Sequence, residues 1–344
     1  MRRPLKPARP GAFTRRAVAL KALMATLDWQ DIRRAAEILR NGGLVAIPTE
    51  TVYGLAADAT NDRAVARIFE AKGRPRFNPL IVHVAGVDAA RAHAEFFPLA
   101  ETLADEFWPG PLTLVLPRKK GSTLSLLVSA GLDTVALRSP SHAVARAVIE
   151  AARLPLAAPS ANRSGSISPT RAEHVRDSLG RRVDMILDGG PCAVGLESTI
   201  VKVDGDEATL LRLGGVAVAD IERAIGKPLI KSREGDNGVE APGMLASHYA
   251  PEAPLRRNAA APAPNEAFLA FGAEPAGHPY TLNLSATKDL REAAANFFAH
   301  LRAADDLCRS KGLAGIAAAP IPAEGLGEAI NDRLRRAAAP RVSP

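Results

Sequence analysis

The chain has 344 residues, which is enough for a large hydrophobic core and, by length, for two domains. Its composition, 47% hydrophobic and 24% charged, is typical of soluble globular proteins, and no apolar run reaches the roughly 18 residues of a membrane-spanning helix. The formal net charge of +7 does not indicate a nucleic-acid-binding body, because seven of the 44 basic residues lie in the acid-free residues 1–27, and the remaining 37 equal the 37 acidic residues.

Residues 1–27 have three possible interpretations. They could be a disordered basic extension, a consequence of start-site choice with Met24 as the alternative start, or a transit peptide. The segment is rich in arginine, as transit peptides are, but it contains no serine and is interrupted by prolines. It also lacks the apolar core of a secretory signal.

Helices and strands are then predicted in irregular alternation. Asp28 begins a helix whose apolar stripe contains Trp29, Ile32 and Leu39, and Gly42 ends it. Further helices are predicted near 61–71, 141–153 and 170–180, and strands near 44–47, 80–84, 112–116, 134–138, 155–158, 183–187, 199–203 and 209–213. This mixture indicates an α/β domain with a mixed, twisted sheet.

The sequence changes character after residue 214. A short helix (218–225) is followed by a polar, Gly-containing stretch, the motif Ser247-His-Tyr-Ala-Pro251 and an Ala/Pro run. Such a long segment with its own motif predicts a functional linker. Beyond it, strands near 267–271, 281–285 and 314–318 alternate with helices at 289–309 and 325–337, which predicts a small second α/β domain. The expected division is 1–27 extension, 28–216 first domain, 217–265 linker and 266–344 second domain.

The segment from Lys72 to Leu80 contains three cations and an amide, while its Gly and Pro residues exclude a continuous helix. It leads into an apolar strand that carries His83. Lysine offers a compact charge and arginine a planar fork, so the loop suits a polyphosphate. The alternative is a solvated surface loop, with His83 a hydrogen-bonded core residue.

Two other segments place polar groups beside predicted strands. The loop from Pro48 to Leu55 carries Thr51 at a strand end, where α/β folds usually bind ligands, although it could also be a capped turn. Along the strand 134–138, alternation puts Thr134 and Arg138 on one face, so both could meet one ligand. Arg138 could equally be part of a salt bridge.

The stiff turn at Trp108–Thr113 is interpreted as architectural. Three motifs later in the chain complete the pattern. The segment 157–170 is small and rich in hydroxyls, which suits an anion, although it could be an ordinary loop with a helix cap. A polar turn at 195–201 enters a strand. Arg212 lies between leucines, where an unpartnered guanidinium is costly.

In order, and across residues 28 to about 216, these motifs resemble the YrdC-like domain of the threonylcarbamoyl-AMP synthase family. The Ser247–Pro251 motif and the small last domain resemble the two-domain form of that family. The resemblance implies an α/β fold in which a twisted mixed-sheet YrdC-like domain is joined by a linker to a smaller, Rossmann-like α/β domain. It also implies synthesis of L-threonylcarbamoyladenylate from L-threonine, bicarbonate and ATP, with release of pyrophosphate. The product would pass to a separate tRNA threonylcarbamoyl transferase complex.

The resemblance also implies the binding residues, position by position. For L-threonine they are Thr51, His83, Arg138, Ala158 through its backbone, and Ser198. For ATP they are Lys72, Arg74, Asn78, Thr134, Ser160, Ser168, Arg212 and Tyr249, the last as part of a lid. Asn78 stands where many relatives have lysine, which removes one charge, and Glu50 replaces a common aspartate. No nucleophile-base grouping stands out, so no covalent, acid or base residue is assigned. Mg²⁺ is expected to arrive with ATP, because no carboxylate cage is visible.

Two other functions were weighed against this one. A non-catalytic RNA-binding module fits the domain type, but the neutral body argues against a surface that follows phosphates. A carbamoyl-adenylate site within a hydrogenase-maturation protein needs zinc-finger cysteines, whereas this chain has two cysteines, Cys192 and Cys308, without metal-ligand spacing. We therefore expect a cytoplasmic enzyme that has no membrane partner and does not itself bind tRNA.

Overall fold

The computed structural model describes residues 28–75, 77–231, 242 and 248–339, so the predicted extension 1–27 lies outside the described residues. The helices that pack on the first sheet are α1 (Trp29–Arg40), α2 (Asp62–Lys72), α3 (Val87–Ala90), α4 (Pro98–Phe107), α5 (Ala143–Ala152), α6 (Ala172–Leu179) and α7 (Val218–Ile225). The strands of this sheet are β1 (Val45–Ile47), β2 (Gly54–Asp58), β3 (Ile81–His83), β4 (Leu112–Pro117), β5 (Thr134–Arg138), β6 (Leu156–Ala157), β7 (Met185–Ile186), β8 (Thr199–Asp204), β9 (Glu207–Arg212) and β10 (Ile230–Lys231).

Local capping explains the first two helices. The Asp28 carboxylate accepts hydrogen bonds from backbone N–H groups in the first turn of α1, and the Asn61 side chain does the same for α2. Gly73 ends α2 in the left-handed conformation, with φ 61°. Both predicted helices are confirmed, and the position of Gly73 turns the chain sharply into the loop that carries Arg74.

The first sheet is mixed, as predicted. Its strand order is β10-β9-β8-β4-β5-β3-β6-β2-β1-β7, with parallel pairs such as β3/β5 and antiparallel pairs such as β4/β5. The β3/β5 register places His83 directly opposite Arg138. A single bridge pairs Gly54, the first residue of β2, with Ser160 in the loop after β6. The sheet thus brings four of the predicted motifs to one place.

The second sheet consists of four parallel strands, β11 (Leu255–Arg256), β12 (Glu266–Ala270), β13 (Thr281–Asn283) and β14 (Gly315–Ala318), in the order β11-β14-β12-β13. Two helices, α8 (Leu290–Lys311) and α9 (Leu326–Ala337), accompany it. Parallel strands with helical crossovers agree with the predicted smaller α/β domain.

The range predicted as a linker, 217–265, contains elements of both sheets. Helix α7 lies within it, β10 extends the first sheet, and β11 pairs with β14 of the second. Strand β2, the short helix α3 and helix α4 of the first domain were not predicted. Strand β2 lacks β-branched residues, and α4 begins at a proline with no side-chain cap.

One hydrophobic cluster joins the two domains. Three residues from loops of the first domain, Val52, Ile167 and Leu196, pack with buried residues of the second, including Phe297 and Phe298 of α8. Gly195 makes this approach possible, because a Cβ there would lie 2.3 Å from the carbonyl oxygen of Ala294 in α8. Within the described residues, no helix combines the length and apolarity needed to cross a membrane.

Candidate functional site

A cavity lies where these loops meet the first sheet and the end of the linker. Its lining residues are Thr49, Val52, Gly54, Arg74, Ile81, His83, Arg138, Ala158, Pro159, Ser160, Glu197, Ser198, Arg212, Pro242, His248 and Tyr249. Eight of the thirteen residues predicted for the site are in this lining. They come from separate segments of the chain, so only the folded sheet brings them together.

Arg138, at the end of β5, forms one corner of the cavity. Its guanidinium donates to the Thr51 hydroxyl at 2.9 Å, to the Gly110 carbonyl at 3.1 Å and to the Glu50 carboxylate, with which it forms a buried salt bridge. The second Glu50 oxygen accepts from the Ser141 backbone at 3.0 Å. The salt bridge that the sequence offered as one interpretation is therefore confirmed, and the side chain also lines the cavity, so the ligand-facing interpretation stays a prediction.

His83 lies beside Arg138 and is buried. Desolvation, reinforced by the nearby Arg138 charge, lowers the pKa of His83 to about 3, so the ring is neutral near pH 7. Its Nδ1 makes no hydrogen bond to any described residue. A buried ring nitrogen without a partner in a cavity wall is suited to a hydrogen bond with a bound ligand.

The opposite side of the cavity carries Arg74, and Lys72 lies behind it. Arg74 donates to the backbone carbonyls of Asn78 at 3.3 Å and Pro79 at 2.9 Å. Lys72 is not in the lining, and its Nζ donates to the carbonyls of Ser160 at 2.5 Å and Asn162 at 2.6 Å. Lys72 therefore supports the loop that forms the cavity wall.

Arg212, at the end of β9, is the third buried cation. It donates to the Ser198 carbonyl at 2.8 and 3.2 Å and to the Pro242 carbonyl at 2.9 Å. Like Lys72 and Arg74, it has no carboxylate partner within hydrogen-bonding distance among the described residues. Desolvation lowers the pKa of all three groups, that of Arg74 to about 10. Three buried cations that have no carboxylate at hydrogen-bonding distance among the described residues favour the binding of a polyanion.

Three other predicted residues, Thr51, Asn78 and Ser168, contact residues of the cavity wall, and Thr134 is not among the lining residues. Thr51 reaches the wall through Arg138, and Asn78 lies behind Arg74 with both side-chain polar atoms unpaired among the described residues. Ser168 donates to Glu197 at 2.6 Å. Thr134 begins β5 opposite Pro117, so about 13 Å of strand separates it from Arg138, and the two are not adjacent.

The linker returns to the site at His248 and Tyr249. The two rings meet edge to face with centroids 4.0 Å apart, and Tyr249 also packs on Phe298 of the second domain. Both are buried, and desolvation followed by the charge of Arg74 holds the pKa of His248 well below its usual value. Tyr249 thus lines the cavity, and its role as part of a lid stays a prediction.

Sequence reasoning gave no role to two residues of this region. Glu197 lines the cavity, and Arg333 of α9 donates to it at 3.1 and 3.2 Å from the second domain. The partners are 136 residues apart, so no local pattern could have indicated the pair. Among the described residues, no group of three or more His, Cys, Asp or Glu side chains could hold a metal ion.

Comparisons with known proteins agree with the fold. A model of the Sua5, YciO and YrdC proteins, described as "Telomere recombination", matches residues 37–214. A second, described as "Threonylcarbamoyl-AMP synthase, C-terminal domain", matches residues 216–339.

Named relatives cover both domains. The threonylcarbamoyl-AMP synthase of Pyrococcus abyssi is 41% identical over 335 residues, which cover 92% of this chain and 96% of the relative. That of Bacillus subtilis is 49% identical over 235 residues, 67% of each chain. The crystal structure of P. abyssi Sua5 complexed with L-threonine superposes with a TM-score of 0.82 at 38% identity, covering 91% of this chain and 95% of that one. The chain therefore belongs to the threonylcarbamoyl-AMP synthase family, in its two-domain form.

Proposed function

We propose that this protein synthesises L-threonylcarbamoyladenylate from L-threonine, bicarbonate and ATP, and releases pyrophosphate. The observation that carries the proposal is that Arg74 and Arg212 line one cavity while Lys72 supports its wall, and that all three are buried without a carboxylate at hydrogen-bonding distance among the described residues. A triphosphate supplies the missing negative charge. Family membership makes ATP the nucleotide.

The nucleotide is assigned to the side of the cavity formed by the cations. Arg74 and Arg212 are suited to the phosphates, because each presents a planar set of donors. Lys72 acts from behind the wall, where it orders the Ser160 loop. Arg74, Arg212, Ser160 and Tyr249 line the cavity, and Asn78, Ser168 and Thr134 are the outer positions of this proposed nucleotide set.

L-Threonine is assigned to the corner formed by Arg138. A guanidinium that already orients the Thr51 hydroxyl at 2.9 Å is suited to a carboxylate. The Ser198 hydroxyl, which lies 2.7 Å from the Thr113 hydroxyl, and neutral His83 offer short polar contacts beside it. The backbone of Ala158 completes the set. The related Sua5 structure complexed with L-threonine supports a threonine site in this fold.

The chemistry requires two bonds to form in one enclosed space. The threonine amine and bicarbonate give a carbamate with loss of water, and a carbamate oxygen attacks the α-phosphorus of ATP while pyrophosphate leaves. Carbamates are labile, so the protein must hold the reactants together and exclude water, and orientation of this kind is worth roughly 7–11 kcal/mol in favourable cases. Arg74 and Arg212 stabilise the charge that develops on the leaving pyrophosphate.

Mg²⁺ is expected to bind through the triphosphate. When bound, it neutralises phosphate charge. The carboxylates of this region, Glu50 and Glu197, are each engaged by an arginine, so they are not free to form a cage of their own. The protein's part is to place the phosphates against Arg74 and Arg212.

The product is proposed to pass to a separate tRNA threonylcarbamoyl transferase complex in the cytoplasm. An adenylate of a carbamate is a reactive intermediate, so a transferase must consume it soon after release. This route does not require tRNA to bind the chain. The alternative, a non-catalytic RNA-binding module, has less support, because the cations of the site are buried and not spread over an exposed surface.

The test is pyrophosphate release by the purified protein with ATP, Mg²⁺, bicarbonate and L-threonine. Release should require both threonine and bicarbonate, and mass spectrometry should detect the threonylcarbamoyl adenylate. The controls are reactions without threonine or without bicarbonate, and reactions in which L-valine replaces threonine or chloride replaces bicarbonate. Release that is independent of threonine, or nucleotide binding without any release, would contradict the proposal.

A further inference from the structure

A carboxylate lies among the cations of the proposed nucleotide site. Glu197 lines the same cavity as Arg74 and Arg212 and is only 7% exposed. A free negative charge here would repel the phosphates of ATP and would offset one of the buried cations. The site can favour a triphosphate only if this charge is neutralised.

Both oxygens of Glu197 are in fact engaged. One accepts from the Ser168 hydroxyl at 2.6 Å, and the other accepts from Nε and Nη2 of Arg333 at 3.2 and 3.1 Å. Arg333 belongs to α9 of the second domain, and its side chain is completely buried. Its guanidinium carbon also lies 5.4 Å from the centre of the Tyr249 ring. One side chain of the second domain therefore contacts both Glu197 and Tyr249, which line the cavity.

On the basis of the proposed function, we propose that Arg333 is a positioning residue for ATP, supplied to the nucleotide site by the second domain. It neutralises Glu197, holds that carboxylate towards Ser168 and away from the phosphates, and supports the Tyr249 ring. The second domain is thereby part of the nucleotide site, although Arg333 itself is not in the cavity lining.

The domains have other contacts that keep them together without Arg333. Val52, Ile167 and Leu196 pack in the second domain's cluster, and Arg302 of α8 donates to the Ile167 carbonyl at 2.8 Å. Loss of the guanidinium should therefore alter the charge of the site more than the arrangement of the domains. This difference separates a positioning role from a purely structural one.

The experiment compares full-length Arg333→Gln, Glu197→Gln and the double variant with the wild type. Arg333→Gln leaves Glu197 as an unpaired buried carboxylate, so we expect the KM and Kd for ATP to rise by about tenfold or more, while the KM for threonine changes by less than about threefold. In the double variant the carboxylate is gone, and we expect the ATP values to return to within about threefold of the wild type. Arg291→Gln, an exposed arginine on α8, is the matched control.

The readouts keep this inference separate from the proposed function. Threonine-dependent pyrophosphate release by the wild type tests the reaction, whereas the Kd of a fluorescent ATP analogue tests Arg333 without turnover. An unchanged ATP affinity in Arg333→Gln, or a double variant as defective as Arg333→Gln, would overturn the proposal. If Arg333→Gln does not fold, the ATP affinity of the double variant tests the proposal alone. An affinity within about threefold of the wild type supports the proposal, and an affinity more than about tenfold weaker overturns it.

Discussion

Arg74 shows how the proposed binding role of a single residue is separate from its contribution to stability. Its guanidinium is buried, yet among the described residues it donates only to the backbone carbonyls of Asn78 and Pro79. Burial of a cation without an anionic partner is unfavourable, and the lowered pKa of Arg74, caused first by desolvation and then by Arg212, reflects this cost. Binding of a phosphate group would offset the desolvation cost of Arg74 that folding leaves uncompensated.

We predict that Arg74→Met weakens ATP binding strongly and stability weakly. Loss of a charge-assisted contact worth about 1.5–3 kcal/mol should raise the Kd for ATP roughly 10- to 150-fold. The free energy of unfolding should change by less than about 1 kcal/mol, since the lost carbonyl contacts are offset by the removed desolvation cost. Nucleotide titration and urea unfolding measure the two quantities, with Arg63→Met, on the exposed side of α2, as control. Unchanged ATP affinity would remove Arg74 from the site.

The burial of His83 affects the pH dependence of the protein's stability. Its pKa of about 3, set by desolvation and then by Arg138, is below the value of about 6.5 in the unfolded chain. Between these pH values the unfolded state binds the additional proton, so stability is lost as the pH falls through this window and is unaffected above it.

We predict that His83→Asn makes the protein less sensitive to acid. Below pH 6.5 the wild type should lose up to about 1.4 kcal/mol more per pH unit than the variant, because asparagine binds no proton. The free energy of unfolding in urea at pH 7.5, 6.0 and 5.0 checks this. The two curves should run parallel above pH 7, which serves as the internal control. Equal slopes at pH 5–6 would show that His83 is already protonated or exposed.

At the scale of helices, strands and loops, local signals explain what the sequence could predict. Helices α1 and α2 begin at the residues that their caps indicate, Asp28 and Asn61, because a cap acts within one turn. Strand β2, Gly-Leu-Ala-Ala-Asp, carries no such signal. It is a strand because β1 and β6 pair with its two edges, which depends on residues up to about a hundred positions away.

The site divides in the same way. Its cations could be found from the sequence, since Gly, Pro and Arg occur together in recognisable loops. The sequence could not show that Thr134 lies apart from Arg138, because this depends on the length of strand β5 that separates them. Nor could it show the pairing of Glu197 with Arg333, because these two residues belong to different domains.

The loop that carries Gly195 yields a prediction at this scale. Gly195 has φ +73°, and a Cβ there would lie 2.3 to 2.6 Å from backbone atoms of Ala294 and Ala295. Gly226 has a similar φ of +70° and no neighbour within 4 Å, so it isolates the conformational cost. Gly226→Ala should cost roughly 1–2 kcal/mol of unfolding free energy, and Gly195→Ala roughly 1–3 kcal/mol more. Equal costs, measured by urea unfolding, would show that α8 does not press on this loop.

At the scale of the whole molecule, the two domains share structure that neither could complete alone. The cluster around Phe297 contains Val52 and Leu196 of the first domain, and the Glu197–Arg333 pair is buried between them. Apolar contacts and a buried charge pair that cross a boundary couple the stability of both sides. We therefore expect the domains to unfold together.

We predict that Phe297→Ala, in the second domain, lowers the unfolding midpoint reported by the first. Phe297 is completely buried, and its truncation should remove roughly 3–5 kcal/mol. Both tryptophans, Trp29 and Trp108, lie in the first domain, so their fluorescence reports that domain, while far-ultraviolet circular dichroism reports both. With one cooperative transition, the two signals should shift together to lower urea concentration. Phe77→Ala, which removes a side chain 58% exposed, should leave both midpoints nearly unchanged. A fluorescence midpoint that stays in place while the dichroism splits into two steps would show that the domains are energetically independent, and the second domain's contribution to the nucleotide site would then rest on the Arg333 contact alone.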